Sequence, residues 1–165
     1  MSRVAVVTSS LPFAEGGHLV IARCLVQALR EAGHRADLLL TPQNRFGRLA
    51  SAYLATWLTD VGVGQDGEAI DQVITFRYPS YAIRHPVHVC WLNHRMREYY
   101  DLWGRFSAPL SAAARLKERI RRRIFHTVDG YLLSRNVTRL YAQSRTIQAR
   151  LQRYLNLLDL VCYRA

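Results

Sequence analysis

Two short stretches of this 165-residue chain combine residue types that could do chemistry. The first is the loop Ser9 to His18, which holds Pro12 and the adjacent glycines Gly16 and Gly17. Glycines between a strand and a helix let the backbone approach a ligand closely. The helix beyond them offers free N–H groups and a positive dipole end to an anion. The chemistry implied is phosphate binding. The spacing is that of neither familiar phosphate loop. A dinucleotide fingerprint needs Gly-x-Gly-x-x-Gly directly after the strand, and a P-loop needs Gly-Lys-Ser/Thr. Here the pair starts eight residues after Thr8 and no third glycine follows. On spacing alone, a plain flexible turn explains the loop equally well.

The second stretch runs from Trp91 to Trp103 and carries His94, Arg95, Arg97, Tyr99, Tyr100 and Asp101. It follows an apolar run that reads as a buried strand, and ligands of open α/β sheets bind beyond such strand ends. A histidine there can donate a hydrogen bond or shuttle a proton. The aromatic residues could stack on a sugar ring or an aromatic aglycone, or simply pack in the core. A third feature is Arg115 to Phe125, where Leu116, Ile120 and Ile124 share one helical face among arginines. That pattern suits a helix lying on anionic lipid. An ordinary surface helix with its apolar face in the core accounts for it too.

The elements that must position these residues follow from periodicity. Val4 to Val7 is a short apolar run, as in a strand buried on both faces. From His18 the period turns helical, with Leu19, Ala22, Leu25, Val26 and Leu29 on one face, and Gly33 stops the helix. Ala36–Leu40, Gln72–Phe76, Val87–Leu92, Arg139–Gln143 and Leu158–Tyr163 read as further strands. Helices are predicted over Arg48–Thr59, Arg95–Trp103, Ser111 to about Val137, and Arg145–Asn156. Gly130 falls inside the longest, at a cost of roughly 1 kcal/mol relative to alanine. Strands alternating with helices imply an α/β Rossmann-like fold: a mainly parallel sheet with helices on both faces.

Composition bounds the rest. The length fits one domain, and half the residues are hydrophobic, a globular balance. The net charge is +11, and all but one of the basic residues are arginine, Lys117 being the exception. Such a chain meets anions easily, but no nucleic-acid-binding signature occurs. Cys24, Cys90 and Cys162 lie far apart in apolar runs and read as buried free thiols. No Cys-x-x-Cys or His-x-x-x-His spacing suggests a metal, and no cofactor is implied. The N-terminal apolar run is too short for a signal peptide. No stretch reaches the ~18 apolar residues of a membrane span. The chain reads as cytoplasmic, with peripheral contact at the inner face of the membrane left open.

The glycine-pair loop, followed by a helix ending in Ala32-Gly33-His34, resembles the start of glycosyltransferase family 4. His94-x-x-Arg97-x-x-Tyr100-Asp101-Leu102 is similar to a segment that one branch of that family carries after its central strand. Leu140 to Thr146, then Arg150, Leu151 and Tyr154, resembles the family's late strand and Ser-Arg-Thr helix start. The resemblance spans nearly the whole chain and rests on order and spacing more than on any one motif. It implies a GT-B fold and retaining transfer from a nucleotide-activated sugar, the leaving phosphate helping to deprotonate the acceptor. Residues 1–165 would be the N-terminal, acceptor-side domain, partnered by a donor-binding domain and inactive in turnover without it. Gly16 and Gly17 would lie beside the donor's phosphates, His94 would be the catalytic residue, in contact with the donor sugar, and Arg97, Tyr100 and Asp101 would lie on the acceptor side. A different class stays open: a non-catalytic module that binds acceptor or membrane, or a truncated inactive product. A small nucleotide-dependent oxidoreductase is disfavoured by the missing dinucleotide fingerprint.

Overall fold

A computed structural model describes residues 1–13, 15–44, 46–155 and 161–162. Six strands make one sheet: β1 (Arg3–Ser10), β2 (Arg35–Pro42), β3 (Gln72–Arg77), β4 (His88–His94), β5 (Arg139–Ala142) and β6 (Val161–Cys162). Their order is β2-β1-β3-β4-β5-β6, and every pairing is parallel. The helices are α1 (Gly17–Glu31), α2 (Leu49–Leu58), α3 (Trp103–Ser107), α4 (Ala112–Tyr131) and α5 (Arg145–Leu155). The fold is α/β and Rossmann-like.

Period two in β1 explains the layering. Val4 and Val6 pack with Ala22 and Val26 of α1 and with Phe76, whereas Ala5 and Val7 pack on the other face with Val61, Val73 and Ile83. A residue buried on both faces of a central strand has no room for polarity, hence the apolar run. Gly33 ends α1 with φ +83°, a left-handed conformation that glycine adopts without a Cβ penalty. The chain goes from β1 to β2 on one side and then crosses to β3 on the other, so order reverses about β1. In open α/β sheets that switch point opens a crevice at the carboxyl ends of the strands.

Several expectations need correction. The helix expected over Arg95–Trp103 is a single 3-10 turn at Arg97–Tyr99, then a break at Tyr100 (φ −117°, ψ −102°), then α3. Consecutive Tyr99 and Tyr100 are both buried, which one face of a 3.6-residue helix cannot provide. The long helix ends as an α-helix at Tyr131, beside Gly130, and continues as a π-helical turn over Leu132–Asn136. That wider turn buries Leu132 and Leu133 together and aims the Asn136 amide at the Tyr81 and Ile83 carbonyls. Of the cysteines, Cys90 is buried and burial pushes its thiol up to about 12, but Cys24 is exposed on α1. The Cys162 side chain lies outside the described residues. No helix among the described residues is long and apolar enough to cross a membrane.

Candidate functional site

The candidate site lies at the carboxyl ends of β1, β3 and β4. Gly16 caps α1 without a side-chain bond, and no acidic residue occupies the first turn. The opening amides of α1, one of the fold's longer helices, therefore face the rim uncapped and with the positive dipole end. A Cβ on Gly16 would come within 2.8 Å of the His18 ring, so this glycine lets His18 fold back over the loop. A Cβ on Gly17 would meet nothing within 4 Å. Packing does not require that glycine, and its bareness leaves the backbone open to a ligand.

Beneath this turn lies Arg77, the last residue of β3. It is 8% exposed, and no carboxylate pairs with it among the described residues. Its Nη1 donates to His18 Nδ1 at 3.1 Å. Because a guanidinium only donates, His18 Nδ1 must be the acceptor, which fixes the neutral tautomer protonated at Nε2. Burial and then the neighbouring Arg77 lower the pKa of His18, against a smaller opposing contribution from the Ser9 backbone. The Nε of Arg77 makes no hydrogen bond, and neither do the buried hydroxyls of Thr8 and Thr41 at the same ends of β1 and β2. The turn after Arg77 is held from both sides. Ser80 Oγ donates to the Arg77 carbonyl at 2.6 Å, and Ser9 Oγ donates to the Tyr78 carbonyl at 2.7 Å.

His94 reaches this place through an irregularity. Thr75 is opposite Cys90, yet Arg77 is opposite His94, so β4 contains two residues more than β3 over this interval. A bulge of this kind re-aims side chains at the end of a ladder. The His94 ring donates from Nδ1 to the Arg95 carbonyl at 3.0 Å, which leaves Nε2 as an acceptor. Its pKa is lowered by burial first, then by Arg77, with His18 and Arg97 adding to it. His94 is thus a neutral imidazole beside a buried cation.

The remaining sequence candidates, Arg97, Tyr100 and Asp101, gather beside His94 at a second, smaller opening. Gly16, Gly17 and His94 lie on one rim, joined through His18 and Arg77. Arg97 and Asp101 pair with each other at 3.0 Å, and Asp101 also takes Arg150 of α5 at 3.3 Å. These three and Tyr100 border a slot of about 20 Å³ next to His94, large enough only for about one water. Tyr100 is placed in the core. Its ring stacks on His126 at 4.1 Å, Arg95 lies 3.7 Å over it, and its hydroxyl donates to Asp129 at 2.7 Å. Tyr99 is buried too, bonded to Glu118, and Trp103 packs against it from the start of α3. Arg77 is not among the sequence candidates; its one signal in the sequence is an arginine that closes a buried apolar strand. Among the described residues, no group of three His, Cys, Asp or Glu could hold a metal ion.

The rim therefore offers uncapped amides, a buried unpaired guanidinium and two neutral imidazoles, a set suited to a ligand that is anionic at one end and hydroxylated at the other. No family model, curated protein or solved structure matches this chain.

Proposed function

We propose that this rim binds the phosphates of a nucleotide-activated sugar and that the chain serves as the acceptor-side half of a retaining glycosyltransferase. The observation that carries the reading is Arg77. A cation removed from water without a counter-charge costs several kcal/mol after relaxation, and an anionic ligand at the amides above it offsets that cost. The Gly17 and His18 amides would receive phosphate oxygens. Arg77 stabilises the charge from below. Neutral His94 would accept a sugar hydroxyl at Nε2. The catalytic contribution of such a site is positioning and charge stabilisation, with no side chain acting as base.

The resemblance to glycosyltransferase family 4 supplies the reaction class, and the geometry supplies the anion preference. The test is calorimetric titration of the chain with uridine- and guanosine-diphosphate sugars and with inorganic pyrophosphate. Binding to at least one diphosphate sugar is expected, weakened at least about tenfold by Arg77→Met, the loss of one charge-assisted contact. No binding by any of these probes, or equal binding by Arg77→Met, overturns the reading. In this reading a donor-binding domain completes the site, so the chain alone is expected not to consume donor; steady donor consumption with added acceptor would overturn the half-enzyme reading.

A further inference from the structure

The amphipathic face of α4 points the opposite way from that of an ordinary surface helix. Leu116, Ile120 and Ile124 are 57%, 56% and 56% exposed. The inward side carries polar groups: Glu118 bonds Tyr99, Arg122 donates to the Tyr99 carbonyl, and His126 stacks on Tyr100. At 100° per residue, Leu116 and Ile124 lie roughly 40° either side of Ile120, with Lys117 and Arg123 at roughly 60° and Arg119 at roughly 100°. Both acids of α4, Glu118 and Asp129, are buried, so every charge the helix exposes is positive. The apolar surface does not stop at the helix. An open groove of about 430 Å³ joins Val128 and Tyr131 of α4 to Leu54 and Trp57 of α2, a helix with no charged residue. Leu58 at the end of α2 is 74% exposed.

We propose that α4 and the adjoining edge of α2 dock on an anionic lipid bilayer, with Leu116, Ile120 and Ile124 entering the headgroup region and Lys117, Arg119 and Arg123 meeting lipid phosphates. This goes beyond the ligand reading above and does not depend on it. The occupant follows from charge. A second copy using the same face would set these cations against themselves, and a neutral apolar partner would leave them unanswered. An apolar sector centred between two basic flanks matches a surface that is anionic on top and hydrocarbon beneath. Trp57 and Tyr131 at its margin are residue types that favour that boundary.

The experiment is co-sedimentation of the chain with vesicles of phosphatidylcholine alone or with roughly one-third phosphatidylglycerol, at low and high salt. Binding is expected only to the anionic vesicles, and weaker at high salt. Leu116→Gln/Ile120→Gln/Ile124→Gln and Lys117→Gln/Arg119→Gln/Arg123→Gln should each lower the partition constant at least about tenfold. All six positions are exposed, so the helical circular dichroism should be unchanged; if the apolar triple melts early, the single change Ile120→Gln replaces it with a smaller loss. The proposal is overturned by absence of vesicle binding, by equal binding to neutral vesicles, or by variants that bind like the parent. It is overturned equally if the apolar triple converts a dimer to a monomer in sedimentation, which would make this face an interface between copies.

Discussion

Two polar regions of this molecule, both shielded from water, are built on opposite rules. Beneath α4, the Asp129 carboxylate accepts from Tyr53, Tyr81 and Tyr100 at 2.6–2.7 Å. The two carboxylate oxygens share three phenols, and burial raises the pKa of all three, so each stays a donor. Glu118 does the same beside it for Tyr99 and Arg121. At the sheet rim, by contrast, Arg77 has no anion among the described residues, and Thr8, Thr41 and Arg77 each keep a buried atom unbonded. A satisfied network holds elements together and leaves nothing for a ligand. An unsatisfied one gives up stability and waits for a partner.

The sharpest break of that comparison is Asp129→Ala. It would leave three buried phenol hydroxyls without their acceptor, at an expected cost of about 3–5 kcal/mol. For a domain of this size that lowers the melting temperature by on the order of 10 °C. Asp129→Asn, which keeps one acceptor, should lie between. A loss under about 1 kcal/mol in urea titration would show that the cluster is not a structural staple.

The next effect is one of pH. His88 is fully buried between Thr75 and the Asn136 carbonyl, and burial brings its pKa down to about 4. Below an unfolded value near 6.5 the unfolded chain takes up a proton that the folded chain refuses. Stability from this group is thus complete above about pH 6.5 and declines as pH falls toward 4, by about 3 kcal/mol in total. His18, His94 and His126, also lowered, push the same way. Urea midpoints across that window check the slope, and a flat profile would contradict it.

Arg77→Met sharpens the comparison from the other side. If Arg77 is a cation kept for a ligand, its removal should leave stability unchanged or raise it by up to about 1 kcal/mol, while anion binding falls. A loss as large as that of Asp129→Ala would place Arg77 among the staples instead. Smallest is Gly17→Ala, whose Cβ meets open space. Stability should change by less than about 1 kcal/mol, toward the better helix former, with phosphate binding weakened several-fold because the methyl stands where the ligand approaches.

Much of the frame was legible in sequence. The strand starts, the face of α1 and its stop at Gly33 all follow from local periodicity and one backbone requirement. What stayed hidden depends on distant residues. Tyr53, Tyr81, Tyr100 and Asp129 belong to four separate segments, and no spacing reveals that they converge. The orientation of α4 was also hidden, because Phe125, Arg122 and His126 find partners inward and leave the more regular Leu116–Ile120–Ile124 stripe outside. At the rim, Gly16 and Gly17 were readable as the start of a helix and His94 as a strand-end residue. Arg77 has one signal, an arginine closing an apolar strand, and its role shows once His18 and His94 are seen around it.

The two extra residues of β4 between Cys90 and His94 separate two kinds of precision. Up to Thr75 and Cys90, the hydrogen-bond ladder dictates where each side chain goes, and a change of length there would turn a whole strand over. Past that point the β3–β4 ladder shifts by two residues before Arg77 meets His94, so the reach of His94 depends on the bulge. Trp91 and Leu92 still pair with Tyr141 and Ala142 of β5 and Leu92 is buried in the core, so it is exchanges at Asn93 that can retune the reach of His94 while the hydrophobic layers stay in step. The bulge works as an adjusting screw, and it is where changes in ligand preference could accumulate at little cost to folding.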